Sequence, residues 1–266
     1  MYVDPRVAHA RARLVLSERA VNPSDLDAKV AGIVSASLYR GKGTLSLREF
    51  RRRVETSLAT ALRGQGFGFD VLIDTSPDKR YGFLARITVA DAINGLRGVS
   101  YSMMWGEPGV QIGEWLTIAP HAVARCLQRN GSLRLSDIRY ELMCASAMAL
   151  PMAYFAQELG WKQVFVRTPA GLFVGDWGGT GMVLRTYFQP GLNGRSSKWT
   201  QISELLPGLP AEPMTQDELD GFARTLVGWL RANRAAIEMH SAFLREPHQR
   251  VEDHLDAAWQ DKSLAA

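Results

Sequence analysis

The chain contains two cysteines in 266 residues, too few for a disulfide framework or a cysteine-rich metal site. Cys126 and Cys144 both occur in apolar, helix-forming stretches, so we expect buried thiols. No stretch approaches the about 18 consecutive apolar residues of a membrane-spanning helix. The first residues lack the basic start and apolar run of a cleavable signal peptide. A cytoplasmic protein with no membrane partner is therefore the expectation.

Common catalytic signatures are missing as well. The sequence has no Gly-x-Ser-x-Gly elbow, no His-Glu-x-x-His zinc motif and no glycine fingerprint at a strand-to-helix turn. The sequence therefore lacks the motifs by which most serine hydrolases, zinc proteases and dinucleotide-binding enzymes are recognised. They do not exclude an enzyme that lacks such a signature.

The net charge of +4 conceals an uneven distribution of charge. Basic residues exceed acidic ones up to residue 200, whereas residues 201–266 contain 11 Asp or Glu against 6 Lys or Arg. A basic body with an acidic end would suit a polyanion or another copy of the chain. Arginine provides 25 of the 31 basic residues, which suits phosphate binding. It is also typical of a GC-rich genome, and we favour that explanation.

Hydrophobic periodicity and turn residues predict an α+β fold with a central antiparallel sheet. Helices are predicted at 6–20, 26–39 and 47–62, then from Pro120 to near Gly131 and from Ser136 or Asp137 to Gly160. Strands are predicted at 69–74, 82–89, 98–105 and 110–118, and again at 162–168, 171–176 and 181–188. The helix that begins at Pro120 and the one that ends at Gly160 would form a two-helix segment packed on the sheet. The second of them would bend or break at Pro151.

The C-terminal part predicts a loop followed by a long helix. Residues 189–213 are rich in Pro, Gly, Ser and Asn, and Thr215 with Glu218 would cap a helix of about thirty residues. This helix would pack on the body or, in a homo-oligomer, on another copy. The polar tail that contains His248 and His254 is expected to fray rather than to bind metal.

These elements suggest three regions. A helical N-terminal region would occupy residues 1–64, an α+β core with the candidate site would occupy 65–190, and the loop with the long helix would occupy 191–266.

The helix that begins at Pro120 is the strongest candidate for a functional element. At about 3.6 residues per turn, His121, Arg125 and Gln128 fall on one stripe with Arg129 at its edge. Val123, Cys126 and Leu127 fall on the opposite, apolar side. An imidazole beside two guanidiniums would suit a site that binds a phosphate and transfers a proton.

Three motifs within residues 115–190 support this interpretation. His-Ala-x-x-Arg-x-x-Gln-Arg begins at His121, Val-x-Thr-x-x-Gly-x-Phe-x-Gly begins at Val166, and Leu-Arg-Thr-Tyr ends at Tyr187. The order of these motifs resembles bacterial toxin ribonucleases of the barnase, EndoU, colicin and RelE type. The resemblance covers this middle part of the chain alone.

The resemblance implies RNA cleavage without a metal or a cofactor, by attack of the ribose 2′-hydroxyl on the adjacent phosphorus. It makes His121 the base or acid, Arg125 and Arg129 phosphate-binding groups, and Thr186 a hydroxyl donor. Gln128 and Arg185 would contact the substrate, and Tyr187 would stack on a base. A protein partner that neutralises the toxin would complete the system.

Structural explanations compete with these roles. His121 would instead cap or hydrogen-bond within the first turn of its helix, and Arg125 and Arg129 would pair with Glu141 or Asp137 of the next helix. Strand alternation places Thr186 on the side of Met182 and Leu184, pointing inward if that side is the core, with Tyr187 outward.

Two other functions remain open. The helix at 47–62 presents Arg48, Arg51 and Arg52, so a non-catalytic module that binds nucleic acid or protein is the first alternative. An enzyme of another class, such as a nucleotide-dependent transferase with its cleft at His121, is the second.

Overall fold

The structure, a computed structural model, describes residues 3–39, 47–61, 66–75, 81–104, 110–179, 181–189 and 198–246. Its strands are β1 (Gly66–Thr75), β2 (Tyr81–Asp91), β3 (Gly95–Met104), β4 (Gln111–Ile118), β5 (Gln163–Arg167), β6 (Leu172–Trp177) and β7 (Met182–Phe188). These form one seven-stranded sheet in the order β1-β2-β3-β4-β7-β6-β5. The predicted α+β class is confirmed.

The sheet is mixed rather than purely antiparallel. β4 and β7 run parallel where residues 116–118 face residues 182–184, and the other neighbouring strands pair antiparallel. The chain leaves β4 through two helices and returns through the β5–β6 hairpin, so β7 enters the sheet in the direction of β4. The prediction of an antiparallel sheet is wrong at this one pairing.

The helices agree closely with the predicted ones in the first two thirds of the chain. They are α1 (Pro5–Glu18), α2 (Pro23–Tyr39), α3 (Leu47–Ala61), α4 (Pro120–Arg129), α5 (Leu135–Leu159), α6 (Lys198–Glu204), α7 (Gln216–Ala232) and α8 (Arg234–His240). A 3₁₀ turn follows at Ala242–Arg245. Pro151 lies inside α5 and does not end it, so a break there is ruled out.

The two faces of the sheet carry different helices. The front face, which includes Leu116, Leu184 and Tyr187, packs with α1, α4 and α5 in the larger hydrophobic cluster. On the back face, α2 and α3 cover β2 and β3 in a smaller cluster that includes Val99. At the other end of the back face, Trp199 of α6 packs on Phe165 of β5.

The division into three regions stays a prediction. The structure adds that α1 shares the large cluster with α4 and α5, whereas α2 and α3 belong to the small one.

The C-terminal part differs from the expectation. A short helix, α6, lies within the predicted long loop. The capping box of Thr215 and Glu218 is present, but the helix that it starts ends at Ala232. Asn233 caps the C-terminal end of this helix with a φ of −105° and a ψ of 15°, and its side-chain amide donates to the carbonyl of Trp229. α7 packs against α5 within the large cluster. The tail with His248 and His254 lies outside the described residues.

Candidate functional site

Helix α4 begins and ends where its sequence predicts. Pro120 occupies its first turn, where a missing N–H costs nothing. Gly131 ends the segment at a φ of 65°, and the following N–H of Ser132 donates to the carbonyl of Leu127. The apolar residues predicted for one side, including Val123 and Leu127, are fully buried.

The polar stripe of α4 lies half-buried at an interface with α1. His121, Arg125 and Gln128 share this stripe, and Arg125 Nη1 donates to Gln128 Oε1 over 2.8 Å. The ring of His9 on α1 contacts that of His121, with centroids 4.9 Å apart. The stripe is therefore completed by a histidine from the first helix of the chain.

The two contacting segments share a sequence pattern. Residues 9–13 read His-Ala-Arg-Ala-Arg and residues 121–125 read His-Ala-Val-Ala-Arg. Ala12, Ala122 and Ala124 are buried, and such small side chains allow two helix backbones to approach closely. The shared pattern is the signal that sequence reasoning missed, and it would have pointed to His9 and Arg13.

The electrostatic environment of His9 favours its neutral form. Burial lowers the pKa of His9 below 6.5, and the positive charges of Arg125 and Arg13 lower it further. At neutral pH the imidazole therefore has a free lone pair that accepts a proton. The interface therefore combines two imidazoles with the guanidiniums of Arg13 and Arg125. Arg13 is exposed and Arg125 is half-buried.

Arg129 remains a candidate for binding an anion. Its Nε is buried and has no hydrogen-bond partner within the described ranges. The ion pairs proposed for it with Asp137 and Glu141 do not form there. Asp137 instead accepts from the hydroxyls of Ser132 and Ser136.

Tyr187 occupies the core beneath α4 rather than the surface. It is 2% exposed, and its hydroxyl donates to Glu141 Oε2 over 3.0 Å. The other oxygen of this buried carboxylate accepts from the N–H of Ala170 over 2.9 Å. Burial and the nearby negative charge of Glu141 raise the pKa of Tyr187. The ring is not available to stack on an RNA base, which corrects the expected orientation.

A β-bulge in β7 explains this reversal. Val174 pairs with Thr186 but the next residue, Gly175, pairs with Leu184, which leaves Arg185 as an extra residue. A side chain at position 175 would collide with the carbonyl oxygen of Val183 at 1.7 Å, so this close approach of the backbones requires glycine. Beyond the bulge the alternation is inverted and Tyr187 joins Leu184 in the core.

Thr186 and Arg185 therefore lie away from the α4 stripe. Thr186 pairs with Val174, and Val174 pairs with Phe165 on the next strand. Thr186 therefore lies on the back face, where α6 packs on Phe165. Arg185 forms an ion pair with Asp176. Of the predicted site residues, the structure groups His121, Arg125, Gln128 and Arg129 on α4 and places the three from β7 elsewhere.

Three further features concern the cysteines, acidic and metal-ligating side chains, and apolar helices. Both cysteines are buried, and burial raises the pKa of the Cys144 thiol to about 12. Among the described residues, no group of three or more His, Cys, Asp or Glu is placed to hold a metal ion. No helix of the described ranges has the length and apolar character to cross a membrane.

Comparisons with family models, with curated proteins and with solved structures found no match for this chain.

Proposed function

We propose that the protein cleaves RNA without a metal at the interface of α1 and α4. The observation that carries the proposal is the contact of two imidazoles, His9 and His121, beside the guanidiniums of Arg13 and Arg125. Cleavage at a ribose requires a base, an acid and positive charge beside the phosphate. This interface supplies all three from side chains alone.

The lowered pKa of His9 suits this imidazole to act as the base, which leaves the role of the acid to His121. His9, held neutral by burial and by two arginines, accepts the proton of the ribose 2′-hydroxyl. The 2′-oxygen then bonds to phosphorus while the bond from phosphorus to the 5′-oxygen breaks. His121 donates a proton to that leaving oxygen. The products are a 2′,3′-cyclic phosphate and a free 5′-hydroxyl.

The arginines stabilise the charge that develops on phosphate. Arg125 lies beside the imidazole pair, and Arg129 lies one turn further along α4. Bidentate hydrogen bonds from a guanidinium suit the non-bridging phosphate oxygens. Thr186, Arg185 and Tyr187 have no part in this mechanism, whereas the sequence resemblance gave them one.

The test is cleavage of end-labelled RNA by the purified protein in excess chelator. Wild type should leave cyclic-phosphate ends, and His9→Ala and His121→Ala should each be slower by at least about a hundredfold. His240→Ala is the matched control, because His240 is exposed on α8. Circular dichroism checks that each variant is folded. Absence of cleavage by wild type, or full activity of His121→Ala, would contradict the proposal.

A groove between α2 and α3 supports a second candidate, a non-catalytic nucleic-acid-binding module. The groove has a volume of about 1030 Å³ and is lined by Lys29, Arg52 and Arg53 together with small side chains. Arg53 pairs with Glu49 at 2.5 Å, whereas Arg52 is exposed. The side chains of Arg48 and Arg51 lie outside the described part of the structure.

Salt dependence distinguishes this candidate. If the groove binds phosphates, Lys29→Gln with Arg52→Gln should reduce the slope of log affinity against log salt by about one per lost contact. Arg19→Gln, an exposed arginine at the end of α1, serves as the control. An unchanged slope in the double variant would rule the groove out.

A further inference from the structure

A second cavity lies on the front face of the sheet, between α5 and α7. Its volume is about 550 Å³, within the range of small-molecule pockets. The second half of α5 and the facing side of α7 line it, together with one residue each from β2, β4 and the end of β6. No residue of α1 or α4 does, so the cavity is separate from the histidine interface.

Three aromatic rings line this cavity: Trp115, Tyr154 and Trp177. Trp115 is the extra residue of a second β-bulge, because Gly98 pairs with Leu116 and Val99 with Glu114. Its ring covers Gly98, where an added side chain would meet it at 2.8 Å. A bulge re-aims a side chain away from strand alternation, and such features recur beside functional sites.

The charges at the cavity favour an anion. Arg86, Arg224 and Arg231 line it against one carboxylate, that of Asp220. The guanidinium of Arg86 lies 6.0 Å from the ring centroid of Trp115. That of Arg231 lies 5.2 Å from the ring centroid of Tyr154 and donates to its hydroxyl over 2.9 Å. Positive charge and aromatic surface therefore occur together in the lining of this cavity.

We propose that this cavity binds a nucleoside monophosphate. A base has a flat face that stacks on tryptophan or tyrosine, and its phosphate would be held by the arginines. An uncharged aromatic molecule would gain no attraction from the three positive charges, and inorganic phosphate would gain no stacking from the three rings. This inference does not rest on the proposed ribonuclease activity.

The experiment is calorimetric titration of the intact protein with AMP, GMP, CMP and UMP. Adenosine is the uncharged control. At least one nucleotide should bind with micromolar affinity, and adenosine should bind at least about tenfold more weakly than AMP if AMP is that ligand. Arg224→Gln and Tyr154→Leu should each weaken nucleotide binding by about tenfold or more.

Two matched variants locate the bound nucleotide. Arg139→Gln, at an exposed position of α5 outside the cavity, should leave binding unchanged. Arg125→Gln removes a phosphate-binding group of the other site, on α4, and the binding that Arg224→Gln weakens should persist in it. If Arg125→Gln abolishes binding and Arg224→Gln does not, the nucleotide occupies the histidine interface and this inference is wrong. Absence of binding by all four nucleotides at millimolar concentration would overturn it as well.

Discussion

The polar groups on the two sides of helix α4 differ in their burial and in the charges around them. On its outer side His121 meets His9 at a half-buried interface, and the charges that act on His9 are both guanidiniums. On its inner side Tyr187 and Glu141 form a buried pair in which both carboxylate oxygens accept hydrogen bonds. The inner groups are satisfied by the protein itself. The outer groups carry positive charge at a partly exposed interface.

This difference separates structural from functional roles better than residue type does. Removing a buried carboxylate that accepts from two donors is costly, because both donors are left without an acceptor. A partly exposed imidazole with a lowered pKa costs the fold little and serves proton transfer. Variants on the inner side should therefore change stability, and those on the outer side should change activity.

The largest expected effect is on the outer side. His121→Ala should reduce RNA cleavage by at least about a hundredfold, because the leaving oxygen loses its acid. The free energy of unfolding should change by no more than about 1 kcal/mol, since the side chain is half-buried. Added imidazole should restore part of the rate. Loss of stability in proportion to loss of activity would make His121 a structural residue.

The inner side should respond in the opposite way. Glu141→Ala should lower the free energy of unfolding by about 3 kcal/mol, measured by urea denaturation, because the N–H of Ala170 and the hydroxyl of Tyr187 lose their acceptor. Glu158→Ala is the control on the same helix, since Glu158 pairs with Arg234 at the surface over 2.7 Å. Equal effects of both changes would contradict the buried network.

The bulge in β7 predicts unequal effects for two adjacent residues. Tyr187→Phe should cost about 1.5 kcal/mol of stability, because it removes a hydrogen bond to a carboxylate. Thr186→Val should change stability by about 0.5 kcal/mol or less and leave cleavage intact. Both are measured by urea denaturation and RNA cleavage. Loss of cleavage in Thr186→Val would instead support the role that the sequence resemblance gave to Thr186.

The smallest effect concerns pH. Because the pKa of His9 is lowered in the folded state, the unfolded chain binds the proton more readily below about pH 6.5. The contribution of His9 to stability is therefore complete above this value and is lost as the pH falls towards the folded pKa. His9→Gln should flatten the decline in stability over that window, measured by urea denaturation at several pH values. The control variant His240→Gln should leave this decline in place. Identical curves of stability against pH for wild type and His9→Gln would contradict the lowered pKa of His9.

Much of the fold could be predicted from local signals. Pro120 and Gly131 bound α4 because their backbone restrictions act locally, and Thr215 with Glu218 starts α7 for the same reason. The parallel pairing of β4 and β7 depends on where two distant segments meet, which periodicity does not encode. The predicted helix of about thirty residues missed the end of α7 at Asn233, whose side-chain amide donates to the carbonyl of Trp229.

The candidate site could be predicted in part. The α4 stripe follows from helical spacing, but its partner His9 is distant in sequence and meets it through tertiary packing alone. The inverted positions of Thr186 and Tyr187 follow from a single extra residue in a strand. Gly175 was the available signal, because a lone glycine within a strand often marks a bulge.

The measurement that tests the central claim most directly is the rate of RNA cleavage as a function of pH. The wild-type rate is expected to fall on the acidic side of the profile, because protonation of His9 removes the base. The residual activity of His9→Ala should lack this acidic limb, and that of His121→Ala should keep it at a much lower rate. A protein that cleaves no RNA at any pH, or a profile that neither variant changes, would contradict the account.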